Sequence, residues 1–386
     1  MITKLIEYSA KNKFIILIFT FFAIAAGIWA LKNTPLDAIP DLSDVQVIIY
    51  TEWPERSPML VEEQVTYPIV TSLLSAPYVK VVRGFSFFGI SFVYAIFEDG
   101  TDIYWARTRV LEYMQGVSAK LPPGVTPTLG PDATGVGWGF EYALVDSTGK
   151  YDLSQLRTLQ DWYVRYWLQS VPGVAEVASI GGFVKQYQVH IDPNTLNAYK
   201  MPIMTVAENI RKGNRDTGAR VLEFAGREYM VRGRGYIQNI QDIENIVVGA
   251  DERGTPILVK NIGKVVLGPD IRRGSAELDG TGEVVGGIVV VRFGVNSYDV
   301  IQRVKQKIKD ITPSLPKGVK IVTTYDRSDL IERSIATLQE KLIEESVIVS
   351  LVIILFLFHF RSALVPILTL PIAILLSFVG MYYINL

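Results

Sequence analysis

The chain has 386 residues, a net charge of −1, 49% hydrophobic residues and no cysteine. The length allows about two or three domains. The charge balance gives no sign of polyanion binding, so nucleic acid is not an expected partner, and the missing thiols exclude disulfides, thiolate metal sites and cysteine nucleophiles. From the N-terminus, residues 14–31 carry no charge, with Lys11 and Lys13 before them and Lys32 after. That is just long enough to cross the hydrocarbon core of a bilayer. A cleaved signal peptide is the rival reading, with Ala23-Ile24-Ala25 as its cleavage site. The apolar run continues through Ile28 and Trp29, which favours an uncleaved anchor.

Next comes a strand over 45–51. A helix over about 57–76 follows, with Ser57 as N-cap, Pro58 at its first position and Val61, Val65, Ile69 and Leu73 as its apolar stripe. Strands over 79–84 and 91–97 follow, and Gly100 ends the second. A helix then carries Ile103, Ala106, Val110, Met114 and Val117 on one face, at spacings of three and four. Leu121-Pro122-Pro123-Gly124-Val125 stops it. A strand over 139–146, a helix over about 152–170 and a strand over 174–180 come next. Residues 190–275 are rich in short strands and turns, as an inserted module would be. A strand over 284–293 leads to Gly294 and a helix with Val300, Val304, Ile308 and Ile311. Leu315-Pro316-Lys317-Gly318-Val319 stops that helix, and a strand over 320–325 follows. Arg109-Val110 and Arg303-Val304 each stand twelve residues before their stop signal. One strand–helix–strand unit is therefore used twice, at an offset of 194 residues (109 to 303). Split βαβ subdomains of ferredoxin-like type fit this order.

At the far end, residues 346–360 and 362–386 are uncharged on either side of Arg361. They read as a helical hairpin with a tight turn at His359-Phe360-Arg361, because a charge at mid-bilayer is costly. The positive-inside rule places that turn and the N-terminal lysines in the cytoplasm, and the long central region on the other side. Pro366 and Pro371 lie inside the last span and are tolerated where neighbouring helices satisfy the freed carbonyls.

Several motifs carry a family resemblance. Asn33-Thr34-Pro35-Leu36-Asp37-Ala38-Ile39-Pro40-Asp41-Leu42-Ser43-Asp44-Val45-Gln46-Val47, Val61-Glu62-Glu63-Gln64-Val65-Thr66-Tyr67-Pro68-Ile69 and Phe360-Arg361-Ser362-Ala363-Leu364-Val365-Pro366 resemble resistance-nodulation-division transporters. Gly130-Pro131-Asp132-Ala133-Thr134-Gly135-Val136-Gly137-Trp138, with Glu141-Tyr142-Ala143-Leu144, resembles their heavy-metal branch, on its copper/silver side. The resemblance covers the whole chain. It implies a membrane protein of α+β class in the inner membrane of a Gram-negative cell, with one N-terminal and two C-terminal transmembrane helices. Between them stands a large periplasmic region of ferredoxin-like βαβ porter subdomains with an inserted docking module. The corresponding segments are 1–32 (first span), 33–185 and 276–338 (porter), 186–275 (docking), 339–360 (second span) and 362–385 (third span). The implied activity is efflux of heavy-metal cations driven by proton influx, with Cu(I) or Ag(I) favoured over zinc, cobalt or cadmium. No bound cofactor is implied beyond the transported cation and protons. The implied partners are two further copies in a homotrimer, a periplasmic adaptor, an outer-membrane channel and membrane lipid. The resemblance also makes this chain the N-terminal part of such a pump, with the main metal cluster and the proton-carrying acids beyond Leu386. One position departs from the pattern. Copper/silver members carry methionine just before the arginine pair that matches Arg272-Arg273, and here Ile271 stands there. Isoleucine cannot replace a soft thioether ligand.

The candidate residues each have a plainer reading beside the functional one. Arg83, next to Phe85, Phe87 and Phe88, lines a cation path or makes a surface salt bridge. Asp132 and Glu141 attract cations or serve a turn. Met201, Met204 and Met230 are soft-ligand candidates, with surface or packing roles favoured for the first two and burial for Met230; core packing is favoured for Met114. His190 is read as structural and His359 as an interfacial anchor. Arg361, Pro366 and Pro371 mark the membrane turn. Gly135, Gly137 and Gly139 lack the spacing and lysine of a phosphate loop. A membrane-anchored periplasmic sensor is the alternative, and the third span argues against it. A cell-envelope hydrolase has no supporting motif.

Overall fold

The computed structural model describes residues 8, 9, 11–33, 41–272, 274–357 and 360–384. The chain divides into two units, residues 1–147, 164–179 and 286–386 in one and 148–163 and 180–285 in the other. The first unit opens with α1 (Lys13–Asn33), which is apolar around its circumference and largely exposed. A first lobe follows, made of β1 (Gln46–Glu52), α2 (Pro58–Val61), a π turn (Glu62–Thr66), α3 (Tyr67–Leu73), β2 (Val79–Phe87), β3 (Ile90–Phe97), α4 (Ile103–Ser118) and β4 (Pro127–Leu129). Its sheet runs β2-β3-β1-β4, each neighbour antiparallel to the next. Alternation puts Val47 and Ile49 of β1 and Val93, Ala95 and Phe97 of β3 on the inner face, against the helices.

The Ser57 hydroxyl accepts a hydrogen bond from Leu60 N and Pro58 opens the helix, as expected of that pair. The helix closes at Leu73, short of residue 76. Val61, Val65, Ile69 and Leu73 are fully buried. A strict spacing of four drifts about 40° per step on a 3.6-residue turn. The wider π turn at Glu62–Thr66 absorbs that drift and keeps the stripe on one face. In α4 the expected face is the buried face: Ile103, Ala106, Val110, Met114 and Val117.

The second lobe begins with β5 (Trp138–Asp146). It is followed by α5 (Leu153–Leu159), another π turn (Gln160–Val164), α6 (Arg165–Gln169) and β6 (Val174–Gly181). The chain then passes through β7 (Lys185–Ile191), α7 (Pro193–Ala198), α8 (Ile203–Gly213), β8 (Thr217–Phe224), β9 (Arg227–Gly233), α9 (Ile240–Glu244), β10 (Val247–Ala250), β11 (Pro256–Leu258), α10 (Val259–Ile262), β12 (Gly263–Pro269) and β13 (Ala276–Glu277). These short elements belong to the second unit. Val206, Ile243, Val248, Ile257, Val259, Ile262 and Val265 form its core. β7 pairs with β12, β10 with β11 and β8 with β9.

The chain returns with β14 (Glu283–Val291), α11 (Ser297–Ile311) and β15 (Val319–Asp326). The second sheet has five strands, β13-β14-β5-β15 with β6 also paired to β14, so that β6-β14-β5-β15 within it repeats the order β2-β3-β1-β4. The repeat read from Arg109-Val110 and Arg303-Val304 is the second half of each lobe. Where β2 turns into β3 through Phe88-Gly89, the second lobe detours through residues 182–282. In α11, Val300, Val304 and Ile311 are buried as expected, Ile308 is half-buried, and Ile301 is fully buried as well.

β15 runs directly into α12 (Arg327–Leu357), and α13 (Phe360–Ile384) follows. Phe360 and Arg361 are therefore helical and not part of a tight turn; His359 lies outside the described residues. Among the described residues, two helical stretches are long and apolar enough to cross a membrane, Lys13–Leu31 and Ile367–Ile384. The expected span over 339–360 is not among these two stretches: its described part, 339–357, includes Glu340, Lys341, Glu344 and Glu345. Pro366 and Pro371 sit within continuous α13.

Candidate functional site

Arg83 lies on β2 opposite Tyr94 of β3, and it is exposed. Its face of the sheet is the one turned away from the helices. The register places Phe85 opposite Phe92, and Tyr50 of β1 opposite Phe92 as well. Phe85 meets the edge of Tyr94 at 5.6 Å between ring centroids, and Tyr50 lies 5.2 Å from Phe92. The Tyr50 hydroxyl donates to the Glu52 carboxylate. The first lobe thus presents an aromatic face carrying one arginine and one carboxylate. Phe85 and Phe87 remain about half exposed, which is unusual for side chains of that size beside a full core.

Asp132 has a different setting. Its carboxylate is largely covered and takes an ion pair from Arg292 Nε at 2.8 Å. The Tyr104 hydroxyl approaches the same oxygen at 3.4 Å. Burial raises the Tyr104 hydroxyl above the ordinary tyrosine range, and the Asp132 charge adds to that, with Arg292 partly offsetting it. Phe293 N donates to the Asp132 carbonyl at 2.9 Å. Asp132 therefore joins α4 of the first lobe to the end of β14 in the second, and its charge is already matched by an arginine. Glu141 sits half-buried on β5 opposite Tyr325 of β15. The sequence brought Asp132 and Glu141 together as cation attractors; the structure gives them separate partners.

The methionines also separate. Met201 packs against the core of the second unit. Met204 is 67% exposed and Met230 is 85% exposed. The expectation that Met230 is buried is therefore corrected: among the described residues β9 pairs with β8 alone, and every residue of β9 is exposed. Met114 is a core residue. His190 is exposed on β7 and its ring bonds the Gln188 side chain at 3.1 Å. Among the described residues, no three of histidine, cysteine, aspartate and glutamate gather as a metal-holding group. Sequence reasoning missed Arg292, Tyr104 and Arg107. Arg292 stands at the end of a strand, with no spacing signal linking it to Asp132.

The model of the AcrB/AcrD/AcrF family matches residues 5–386. The chain belongs to that family. Membership turns the resemblance to resistance-nodulation-division transporters into a finding, and with it the mixed α/β transporter fold. The cation efflux system protein CusA of Escherichia coli (strain K12) is 53% identical over 383 residues, covering 99% of this chain and 37% of CusA. The cobalt-zinc-cadmium resistance protein CzcA of Cupriavidus metallidurans is 37% identical over 388 residues, covering 99% of this chain and 36% of CzcA. The crystal structure of a heavy metal efflux pump, crystal form II, superposes with a TM-score of 0.91 at 33% identity, covering 99% of this chain and 38% of that one. The chain thus spans a little over a third of the length of the curated family members it matches.

Proposed function

We propose that the protein carrying this chain exports heavy-metal cations from a Gram-negative cell, as the proton-driven inner-membrane component of a tripartite pump. The observation that carries this reading is similarity along the whole chain to proteins named for cation efflux and metal resistance. Cu(I) or Ag(I) is the favoured cargo, with zinc, cobalt or cadmium as alternatives. Identity is higher to CusA than to the cobalt-zinc-cadmium protein, and residues 130–144 side with the copper/silver branch. Ile271 is exposed and offers no thioether, so either Cu(I) or Ag(I) passes by other ligands or the cargo is a different ion.

The helix packing supports a three-span layout. α1 and α13 touch with residue numbers rising together: a Cβ added at Gly27 would stand 2.7 Å from Leu375 Cβ, and Trp29 meets Tyr382 at 4.8 Å. Two parallel helices in a bilayer require a return crossing between them, and the uncharged end of α12 supplies it. Lys11, Lys13 and Arg361 then share the cytoplasmic side, with Trp29 and Tyr382 at the opposite interface. The two lobes are porter subdomains in this reading, and the inserted unit is a docking module. The homotrimer follows from the family resemblance, and the β8–β9 hairpin is a candidate contact within it, because an isolated two-stranded hairpin is marginal in water and this one exposes Phe224, Tyr229 and Met230. An adaptor, an outer-membrane channel and surrounding lipid complete the assembly. Arg83, Asp132 and Glu141 are the candidates along the cation path, Met204 and Met230 the exposed soft contacts.

The test is growth of a cell lacking metal export, with and without the protein, on silver, copper, zinc and cobalt salts. Silver and copper tolerance is expected. Tolerance to zinc and cobalt alone would reassign the cargo, and no change on any metal would sink the export reading. A sensor would alter gene expression without moving metal, and whole-chain similarity to pumps weighs against it.

A further inference from the structure

We infer that the loop over residues 132–137 couples the membrane helices to the two lobes, with Arg327 as the positioning residue that ties α12 to it. The inference rests on the export reading for its purpose, though not for its geometry. Arg327 is the first residue of α12 and only 4% exposed, and its guanidinium donates to the Val136 carbonyl. Thr134 hydrogen-bonds the carboxylate of Asp41, on the segment that follows α1. Burial alone would raise the Asp41 carboxyl. The bonds from Thr134 and Ser43, with the charge of Arg327, outweigh it and hold the group below its ordinary value. A Cβ added at Gly135 would stand 3.3 Å from Ser43 Oγ, so the loop and that segment are in close contact.

The same loop grips both lobes. Asp132 holds Arg292, and Gly137 O accepts Val291 N at 2.7 Å, both at the end of β14. Just before it, Arg107 of α4 donates to the carbonyls of Gly130 at 2.8 Å and Pro131 at 3.2 Å. Six consecutive residues therefore touch Asp41 and Ser43, the start of α12 and the end of β14, with α4 holding the loop through Asp132.

The joint at α12 is stiff. No residue separates β15 from α12. Asp326 accepts from Ser328 N at 2.9 Å and pairs with Lys305 of α11, whose ammonium also bonds Ser328 Oγ at 2.8 Å. α12 is continuous over 31 residues, a rod of about 45 Å at 1.5 Å per residue. A guanidinium taken out of water needs its acceptors kept in place. Axial movement or rotation of α12 must then drag Val136, and through it the loop.

The test uses the full-length protein with R327Q, R327K and T134V. Transport of Ag(I) into proteoliposomes is read alongside equilibrium Ag(I) binding, oligomeric state and thermal midpoint, with amide exchange across residues 41–45 and 132–137. R327Q is expected to cut turnover about tenfold, as loss of one well-placed charged hydrogen bond does. Affinity and oligomeric state should stay within about twofold of wild type on that same scale. R327K should recover part of the turnover through one retained donor. Exchange should rise together in both segments in R327Q, and in T134V chiefly at 41–45. Unchanged turnover overturns the inference. So does loss of turnover together with metal binding and the oligomer, since Arg327 would then be merely structural. If the wild-type protein moves no silver, the export reading falls, and amide exchange still decides the coupling: faster exchange confined to the start of α12 would refute it.

Discussion

Asp132 and Asp152 show how neighbours decide what an aspartate does. Asp132 is matched by Arg292 and fixes one lobe to the other. Asp152 caps α5: it accepts Gln155 N at 2.8 Å, while Gln155 Oε1 returns to Asp152 N at 2.9 Å. The Ser154 hydroxyl and the Gln155 N–H hold its carboxyl below the ordinary value. Asp152→Ala should lower stability by about 1 kcal/mol, the usual loss for an N-cap, read as a lower thermal midpoint. A depressed folded pKa means the contribution is present above the ordinary carboxylate pKa of about 4 and fades as pH falls through the lowered folded value. The midpoints of wild type and variant should therefore converge in acid below about pH 4. A gap that persists there would mean the loss is not electrostatic.

At the scale of elements, two halves of the chain answer to one plan. Both lobes place a π turn in the first helix and the same strand order in the sheet. The helix stripes at 61–73, 103–117 and 300–311 were legible because burial on one face forces a period near 3.6. The π turns were not legible, since an extra residue in a turn leaves a spacing of four unchanged in the sequence. α1 and α13 depend on close approach at Gly27. Gly27→Leu should separate them, because its Cβ would fall 2.7 Å from Leu375 Cβ and 2.8 Å from Leu375 O. The expected readout is loss of cross-linking by a bifunctional thiol reagent about 10 Å long between cysteines placed at Trp29 and Tyr382, a pair whose rings are in contact with Gly27 in place. Equal cross-linking in the leucine variant would contradict the packing.

For the whole molecule, the testable matter is which side of the membrane each part occupies. The chain has no cysteine, so single replacements are made in it against a background with any cysteine elsewhere in the protein replaced by serine. Lys11→Cys should be blocked from an impermeant maleimide in intact cells and react after lysis. Asp44→Cys and Glu252→Cys should react once the outer membrane is opened. Labelling of Lys11→Cys under those conditions would invert the topology. The expected second span also belongs to this scale. Glu340, Lys341, Glu344 and Glu345 share its helix with the uncharged residues 346–357, so hydropathy alone does not mark that span, and its proposal rests on the parallel packing of α1 and α13.

The sequence by itself determined the apolar ends, the repeated strand–helix–strand unit and the family, because hydrophobic period and contiguous motifs are local properties of the chain. Residues 61–73, 103–117 and 33–47 carry that information without reference to anything distant. The partners of single side chains were decided only by tertiary structure. Arg292 lies 160 positions from Asp132 (292 against 132) and Arg327 lies 191 from Val136. Met230 reads as a strand residue with the hydropathy of a core, yet its hairpin stands alone and leaves it exposed. A charge or a methionine takes its role from what the fold brings against it, and long-range contacts of that kind leave no period in the sequence.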